Sequence, residues 1–285
     1  MLLVESRRKL TLDGLRGIAI ILVISNHLFP SAFPGGFVGV DIFFVVSGLL
    51  VTSSALSKKF TAFNSFVADF ACRRINRILP ALIVCMAFTS VVTAFSVPHP
   101  ITSIQTSLAA LWGASNVFLG LTQTGYFSEP AELNTALQTW SLGVEEQFYL
   151  VFPLLILPIL ALRRDRLATF VIISLSVLSF LMFLKIDDPA SPGLYFSMLS
   201  RFWELGLGVI VAITVIGNTR GIKLKRVNED VVILAFVVGL IFIALLGNKS
   251  NVFSGVVGAI VLTLPVLIIG YCKDLSASKK NILEV

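Results

Sequence analysis

Eight ionisable side chains lie inside or at the edges of long apolar segments, and they are confined to four of those segments. They are Asp13, Arg16, His27, Asp41, Glu145, Glu146, Arg201 and Glu204. A charge at the centre of a bilayer costs about 2.5–3.5 kcal/mol on insertion scales, so such residues usually face a polar cavity inside a helical bundle. The alternative is that side chains near the segment ends snorkel to the membrane surface, and this partly accounts for the presence of Asp13 and Asp41. We therefore expect a hydrated, charged cavity.

The first segment carries two of these groups on one helical face. Arg16 and His27 are eleven residues apart, which is close to three turns, so they should lie about 16 Å apart along the axis. A neutral imidazole at His27 could remove a proton from a hydroxyl group near neutral pH. A histidine packed against a neighbouring helix with only a structural role is the alternative.

A second candidate group is the carboxylate pair Glu145 and Glu146, which we expect at the same depth as His27. Adjacent helical residues point about 100° apart, so only one of the two should face the cavity. That carboxylate could orient the imidazole and stabilise its charged form. Hydrogen bonds to the backbone or to Arg201 are the alternative. Arg201 and Glu204, three residues apart, are expected to form a structural ion pair.

Small residues at 35–48 indicate a close approach of chain segments. Gly35 and Gly36 allow unusual backbone near the outer surface. Ser47 and Gly48, in the middle of the second segment, permit close helix packing or leave room for a thin ligand tail. Packing is the simpler of the two interpretations.

Segment 58–80 is expected on the cytoplasmic side, with an apolar stripe followed by arginines. The stripe is Phe63, Phe66 and Phe70, and the arginines are Arg73, Arg74 and Arg77. One interpretation is an interfacial helix bound to anionic lipid, with the next span opening at Pro80. The other is a phosphate site, in which Arg74 and Arg77 grip a phosphorylated nucleotide carrier. Spacing alone does not decide between them.

Composition fixes the broad class of this protein. The chain has 285 residues, of which 56% are hydrophobic and 13% are charged. Those values exclude a soluble domain and predict an all-α, polytopic transmembrane helical bundle. The cysteines Cys72, Cys85 and Cys272 lack metal-binding spacing, so we expect buried or interfacial thiols, with no disulfide framework and no metal. Asp13 and Arg16 interrupt the first apolar run, which indicates a retained helix rather than a signal peptide.

The apolar segments and the basic residues between them predict the topology. The segments are 11–30, 37–57, 79–97, 104–122, 140–162, 167–184, 197–217, 231–247 and 255–272. Eighteen of the 22 lysines and arginines fall in one set of connections, which should therefore be cytoplasmic. This placement explains the positive net charge and argues against binding of nucleic acid. The polar segment 104–122 must then dip into the membrane and return, leaving about eight crossings with both termini inside. A full ninth crossing is the alternative.

The uncharged segments should face lipid, whereas the charged ones should form the inner wall. Four segments that carry no charge are expected to face lipid in this way: 79–97, 167–184, 231–247 and 255–272. This arrangement places the lipid bilayer against the outer helices.

Several strings resemble one family, the acyltransferase-3 family of integral membrane acyltransferases. They are LDGLRGIAIILVISNH (12–27), GGFVGVDIFFVVSG (35–48), RRINRILPA (73–81), YFSEPAELN (126–134), TWSLGVEEQFYLVFPLL (139–155) and RFWELGLG (201–208). The resemblance implies a bacterial inner-membrane enzyme that moves an acyl group, usually acetyl, from cytoplasmic acyl-CoA. The implied acceptor is a hydroxyl of an extracytoplasmic glycan such as O-antigen, exopolysaccharide or peptidoglycan.

The resemblance also implies roles for individual residues. His27 takes the place of the essential histidine, and Arg16 that of the arginine eleven residues before it. The cytoplasmic arginines Arg73, Arg74 and Arg77 fall on a motif associated with acyl-CoA, as does the string ending in Ser47 and Gly48. Trp140, Ser141 and Glu145 fall on the WSL-x-x-E motif. The acyl group could pass directly to the acceptor or through an acyl-histidine.

Two further expectations concern the extent of the chain and its rival functions. Family members usually continue with a span carrying an SY-x-x-Y-x-x-H string, and some add an SGNH-type domain. The chain stops at Val285, so we expect a single acyltransferase domain over 1–285 that lacks both. The alternatives are a transporter with a buried charged pathway, or an inactive shortened relative.

Overall fold

The computed structural model describes residues 2–56, 63–122, 133–155, 158–159, 165–187 and 192–217. Within those ranges the chain is helical and contains no β-strand, which confirms the all-α class. The α-helices are α1 (Leu2–Leu28), α2 (Val38–Leu56), α3 (Phe63–Ser96), α4 (Ile101–Leu111), α5 (Ser115–Thr122), α6 (Thr139–Leu155), α7 (Asp165–Phe183) and α8 (Met198–Gly217), and a 3₁₀ helix, η1 (Pro192–Phe196), precedes α8.

Among the residues that the structure describes, three helical stretches are long and apolar enough to cross a bilayer: Val38–Leu56, Phe63–Ser96 and Gly193–Ile213. The number of crossings, eight in our prediction, stays a prediction. The expected spans 231–247 and 255–272, together with Cys272 and most of the basic connections, lie outside the described residues.

Helix α1 begins earlier than the hydropathy pattern indicated. It starts at Leu2 rather than near residue 11, because the charged residues before the apolar run are good helix formers and do not end a helix. Its end at Leu28 follows from Pro30, which disfavours helical backbone at the residue before it. Helix α2, at Val38–Leu56, agrees with the expected span 37–57 to within one residue at each end.

Helix α3 corrects a second boundary. The expected break between a cytoplasmic helix and a span opening at Pro80 is wrong, because one helix of 34 residues runs through this proline. Proline is tolerated inside membrane helices when neighbouring groups satisfy the freed backbone. Two rings of the stripe in its first half, Phe66 and Phe70, pack into the protein, whereas Phe63 at the start of the stripe is 37% exposed.

As we expected, segment 104–122 does not form one continuous helix. It forms the 11-residue α4 and the eight-residue α5, separated by a break at Gly113, whose φ is 65°. Neither piece approaches the roughly 20 residues that a span requires. The return of this segment to its starting side stays a prediction.

Burial distinguishes the charged from the uncharged spans. In their apolar windows, 78% of the α2 residues and 72% of those in Gly193–Ile213 are buried, against 17% in α3. The second half of α3 exposes large apolar side chains such as Phe88 and Phe95, at 71% and 88%. This confirms that segment 79–97 faces outward, as does much of α7. Two cysteines of α3, Cys72 and Cys85, are free and exposed. Of the two expectations for these thiols, buried or interfacial, the interfacial one therefore remains.

The chain divides into two compact units, one of Met1–Ser57 with Glu204–Val285 and the other of Lys58–Trp203. In the first unit, glycines bring helices into backbone contact. A Cβ on Gly39 would meet the Ala19 carbonyl of α1, and one on Gly48 would meet the Leu205 backbone of α8. The sequence left two roles open for Gly48, close helix packing and room for a ligand tail, and the structure shows the packing role.

Candidate functional site

An arginine of the second unit lies against two aromatic rings. The Arg74 guanidinium of α3 lies 5.5 Å from the Phe70 ring centre on the same helix and 4.6 Å from that of Tyr149 on α6. The two rings themselves meet edge to face at 6.4 Å. Such cation–π contacts fix the plane of the guanidinium and so direct its N–H groups.

The two adjacent glutamates of α6 have different surroundings. The Tyr149 hydroxyl donates a hydrogen bond of 3.0 Å to Oε2 of Glu145, four residues earlier on the helix. Glu145 is buried, whereas Glu146 is half-buried and lines a cavity. Of the two, Glu146 is the one that lines this cavity, and His27 is not among the lining residues, so the expected pairing of a cavity-facing glutamate with His27 stays a prediction.

The cavity lies among α3, the end of α4 and α6, and has a volume of about 370 Å³. Its polar lining comes from Arg74, Glu146 and Tyr149. The other lining residues are apolar or aromatic: Phe70, Ala71, Ile75, Ile78, Leu79, Leu111, Trp112 and Leu150. A mostly apolar cavity of this size, with a few convergent polar groups, is typical of sites for small molecules.

The break between α4 and α5 forms part of this site. A Cβ added to Gly113 would meet the carboxylate of Glu146, which would have to move, and the φ of 65° strains any residue other than glycine. Asn116 and Gln147 exchange amide hydrogen bonds of 2.8 and 3.2 Å, which fasten α5 to α6 beside the break. Asn116 also donates to the Phe196 carbonyl of η1 at 3.1 Å. A positive φ and a polar clamp therefore determine where Glu146 lies.

A second arginine of this unit is enclosed more completely. Arg201 is 3% exposed, and its guanidinium lies 4.9, 5.1 and 5.5 Å from the ring centres of Tyr195, Phe183 and Trp140. Its Nε donates to the Tyr195 carbonyl at 3.4 Å. Trp140, the tryptophan of the WSL string, thus packs against η1 and Arg201, while Ser141 donates to the Gln138 carbonyl at 3.3 Å.

The other predicted arginines do not line the cavity. Arg73 pairs with Asp69 one turn earlier on the exposed side of α3, and Arg77 is exposed. The predicted cluster of three acyl-CoA arginines is therefore one arginine inside a cavity and two on the surface.

In the first unit, His27 ends α1 and is exposed rather than enclosed by the bundle. Its Nδ1 lies 2.7 Å from the Val23 carbonyl. Because a carbonyl can only accept, Nδ1 carries the proton in the neutral ring and the lone pair belongs to Nε2. Beside it, Asn26 donates to the Phe33 and Pro34 carbonyls at 2.9 and 3.3 Å, which secures the turn into α2.

The remaining predicted residues of the first unit vary in burial. Arg16 is half-buried with its guanidinium 4.9 Å from the Phe43 ring centre, and Asp13 is exposed. Asp41, Ser47 and Glu204 are buried, at 3%, 5% and 0% exposure. The pairings of His27 with a glutamate and of Arg201 with Glu204 stay predictions.

Sequence reasoning missed three contributors to the cavity: Phe70 as a ring under Arg74, Tyr149 and Gly113. Tyr149 had a signal, because it follows Glu145 by four residues and so shares its helical face. Gly113 stood among the polar residues of the weak segment, but its positive φ has no signature in the sequence.

The comparisons with known proteins agree with the resemblance. The sequence profile of the family described as "Acyltransferase domain" matches residues 9–283. The O-acetyltransferase OatA of Staphylococcus aureus strain NCTC 8325 / PS 47 is 32% identical over 232 residues, which are 80% of this chain and 38% of OatA. The protein SACOL0978 of strain COL is 31% identical over 248 residues, which are 84% of this chain and 41% of that protein.

The chain thus spans about two fifths of the length of these curated relatives. No solved structure matches it significantly.

Proposed function

The chain belongs to the acyltransferase-3 family, and on that premise we propose that it is a membrane O-acyltransferase. The donor is acyl-CoA, in the first place acetyl-CoA, taken from the cytoplasm. The acceptor is a hydroxyl group of a glycan on the other side of the bilayer. The name of OatA, an O-acetyltransferase, supports the ester-forming chemistry.

The observation that carries this proposal is the contact between Nδ1 of His27 and the Val23 carbonyl, at 2.7 Å. This hydrogen bond fixes the tautomer in which Nε2 is the basic nitrogen. It also holds the imidazole on the final turn of α1, where the exposed ring is accessible to an incoming hydroxyl. A general base needs both a lone pair and an approach path.

The reaction follows from that geometry. Nε2 of His27 takes the proton of the acceptor hydroxyl as its oxygen attacks the carbonyl carbon of the thioester. The tetrahedral oxyanion then collapses, the carbon–sulfur bond breaks, and the thiolate takes a proton from the imidazolium. The products are the glycan ester and CoA with a free thiol. In the acyl-histidine alternative, Nε2 attacks the thioester first and the hydroxyl attacks second.

The donor end of the proposal is supported by the cavity around Arg74. Its guanidinium is positioned by two rings, and the exposed Arg77 follows one turn later on α3. A cation inside a cavity and a second cation on the surface suit a ligand with an uncharged arm and a charged end.

Transfer by the purified protein in lipid nanodiscs tests the proposal. The protein is incubated with acetyl-CoA and N-acetylglucosamine oligomers, and both thiol release and acetylated sugar are followed by mass spectrometry. We expect transfer in the unmodified protein and a loss of about 100-fold or more in His27→Ala. The matched control is His99→Ala, the other histidine of the chain, which is exposed on the α3–α4 connection and should retain full activity.

Undiminished acetylation in His27→Ala would reject the base role. Equal loss in both histidine variants would also reject it, because His99 has no place in the scheme.

The proposed orientation places both termini in the cytoplasm of a bacterial inner membrane. It is supported by eighteen of the 22 basic residues lying in one set of connections. Reporter fusions at the two termini test it: we expect signal from a cytoplasmic fluorescent reporter and none from a periplasmic phosphatase. Phosphatase activity at either end would contradict it.

A further inference from the structure

The cavity of the second unit combines one cation and one anion within apolar walls. Arg74 and Glu146 both line it, together with the branched and aromatic side chains of α3, α4 and α6. We infer that this cavity binds the uncharged, amide-bearing arm of the acyl-CoA donor rather than its phosphates. The inference rests on the proposed function, since it names the part of that donor which the site recognises.

The first argument concerns what the cavity disfavours. A phosphate in this cavity would find a single basic group, Arg74, while the other ionisable group of the lining, the acidic Glu146, offers it no positive charge. The walls formed by Ile75, Ile78 and Leu79 offer no polar group to replace the phosphate's water. A doubly charged group is better bound at the surface, where Arg77 is exposed.

The second argument concerns what the cavity favours. An amide has a carbonyl that accepts from a guanidinium and an N–H that donates to a carboxylate, so a ligand with amide groups can use both polar ends of the lining, Arg74 and Glu146. The arm between the thioester and the nucleotide of acyl-CoA is a chain of methylene groups interrupted by two amides. Its methylenes suit the aliphatic walls, including Leu150 on α6.

The third argument is that both polar groups are held in place before a ligand arrives. The rings of Phe70 and Tyr149 fix the Arg74 guanidinium. The second carboxylate, Glu145, accepts the Tyr149 hydroxyl, which leaves Glu146 as the carboxylate on the cavity side. Gly113, with no Cβ, gives Glu146 its room. Such preorganisation reduces the entropy lost on binding.

Three probes separate the parts of the donor. They are CoA, S-acetylpantetheine, which has the arm without the nucleotide, and adenosine 3′,5′-bisphosphate, which has the phosphates without the arm. Their dissociation constants are measured by titration calorimetry with the whole protein in nanodiscs. The variants are Arg74→Gln and Glu146→Leu in the cavity, and Arg77→Gln as the matched surface arginine.

We expect each cavity variant to weaken CoA and S-acetylpantetheine about 10-fold or more, and to leave adenosine bisphosphate unchanged. Arg77→Gln should do the opposite, weakening CoA and adenosine bisphosphate but not S-acetylpantetheine. A second measurement uses the unmodified protein, so it does not depend on cavity variants that could misfold. Trp112 is 85% exposed and lines the cavity, so its fluorescence should change when S-acetylpantetheine binds. The variant Trp112→Phe should remove that change.

Two outcomes overturn different statements. If Arg74→Gln weakens adenosine bisphosphate and leaves S-acetylpantetheine unaffected, Arg74 binds phosphate, and the inference fails while the acyl-CoA donor stands. If the unmodified protein binds none of the three probes, the donor in the proposed function is wrong, and the inference falls with it.

Discussion

Arg74 and Arg201 belong to the same unit and both contact aromatic rings, but they differ in whether the rings enclose the guanidinium completely. Arg201 lies among three rings within 5.5 Å and is 3% exposed, so its cage is closed. Arg74 lies over two rings and faces a cavity of about 370 Å³ on its remaining side. The closed cage stabilises the fold around η1, whereas the open one leaves N–H groups for a ligand.

The difference shows that a buried cation with aromatic neighbours is not by itself a binding site. The same residue types hold the chain together where the rings close around the charge, and we propose that they recognise a ligand where a cavity remains. Stability and binding should therefore respond in opposite ways at the two positions.

The largest expected effect comes from neutralising each arginine with a side chain of similar length. Arg201→Met should lower the free energy of unfolding by about 3 kcal/mol or more. The variant loses the desolvated cation–π contacts, and the buried groups that contact the guanidinium lose their charged partner. Arg74→Met should cost about 1 kcal/mol, since its half-buried guanidinium keeps access to water. Reversible unfolding in mixed micelles measures both. Equal losses would remove the distinction between closed and open cages.

A glycine at the edge of the open cage provides the next test. Gly113→Ala should cost about 2 kcal/mol, from the left-handed backbone and the contact of its Cβ with Glu146. It should also weaken S-acetylpantetheine by displacing that carboxylate. The matched control is Gly14→Ala on α1, where nothing lies within 4 Å of the added Cβ and a helix gains about 0.5–1 kcal/mol. A neutral Gly113→Ala would show that the break does not position Glu146.

Removing a single hydroxyl sharpens the account of Arg74. Tyr149→Phe keeps the ring under the guanidinium but deletes the 3.0 Å hydrogen bond to Glu145, so we expect a loss of about 1–2 kcal/mol in stability. Affinity for S-acetylpantetheine should change less than threefold. A larger drop in affinity would mean that the hydroxyl, and not the ring, prepares the cavity for its ligand.

The smallest effect is expected at Arg73, the arginine next to Arg74. Its ion pair with Asp69 joins side chains that are 39% and 61% exposed, so Arg73→Ala should change stability by about 0.5 kcal/mol or less. Affinity for S-acetylpantetheine, measured alongside, should stay within twofold. A loss as large as that of Arg74→Met would show that the whole basic turn acts together.

Much of the candidate site was visible in the sequence as residue types. Arg74 and the pair Glu145 and Glu146 were predicted from charges in apolar segments and from the family strings. The cavity that Glu146 lines is beside Arg74 rather than His27. Helical geometry had predicted only that one carboxylate of the pair would face a cavity beside His27, because adjacent residues diverge by about 100°. It could not say which one, since that depends on the rotation of α6 against α3 and α5.

Errors arose where a boundary was read from hydropathy alone. The charged start of α1 and Pro80 inside α3 both looked like helix ends, yet the helices continue through them. Hydropathy reports where apolar residues lie, whereas a helix continues as long as its backbone hydrogen bonds can be satisfied.

The helical class, the position of α2, the outward face of segment 79–97 and most of the charged groups could be predicted from the amino-acid sequence. These follow from periodicity and composition, which act within one helix. The packing of the helices was needed to show that Arg201 is caged, that Arg74 opens on a cavity and that Gly113 makes room for Glu146. Spacing along a helix sets which residues share a face, but packing between helices sets what that face meets.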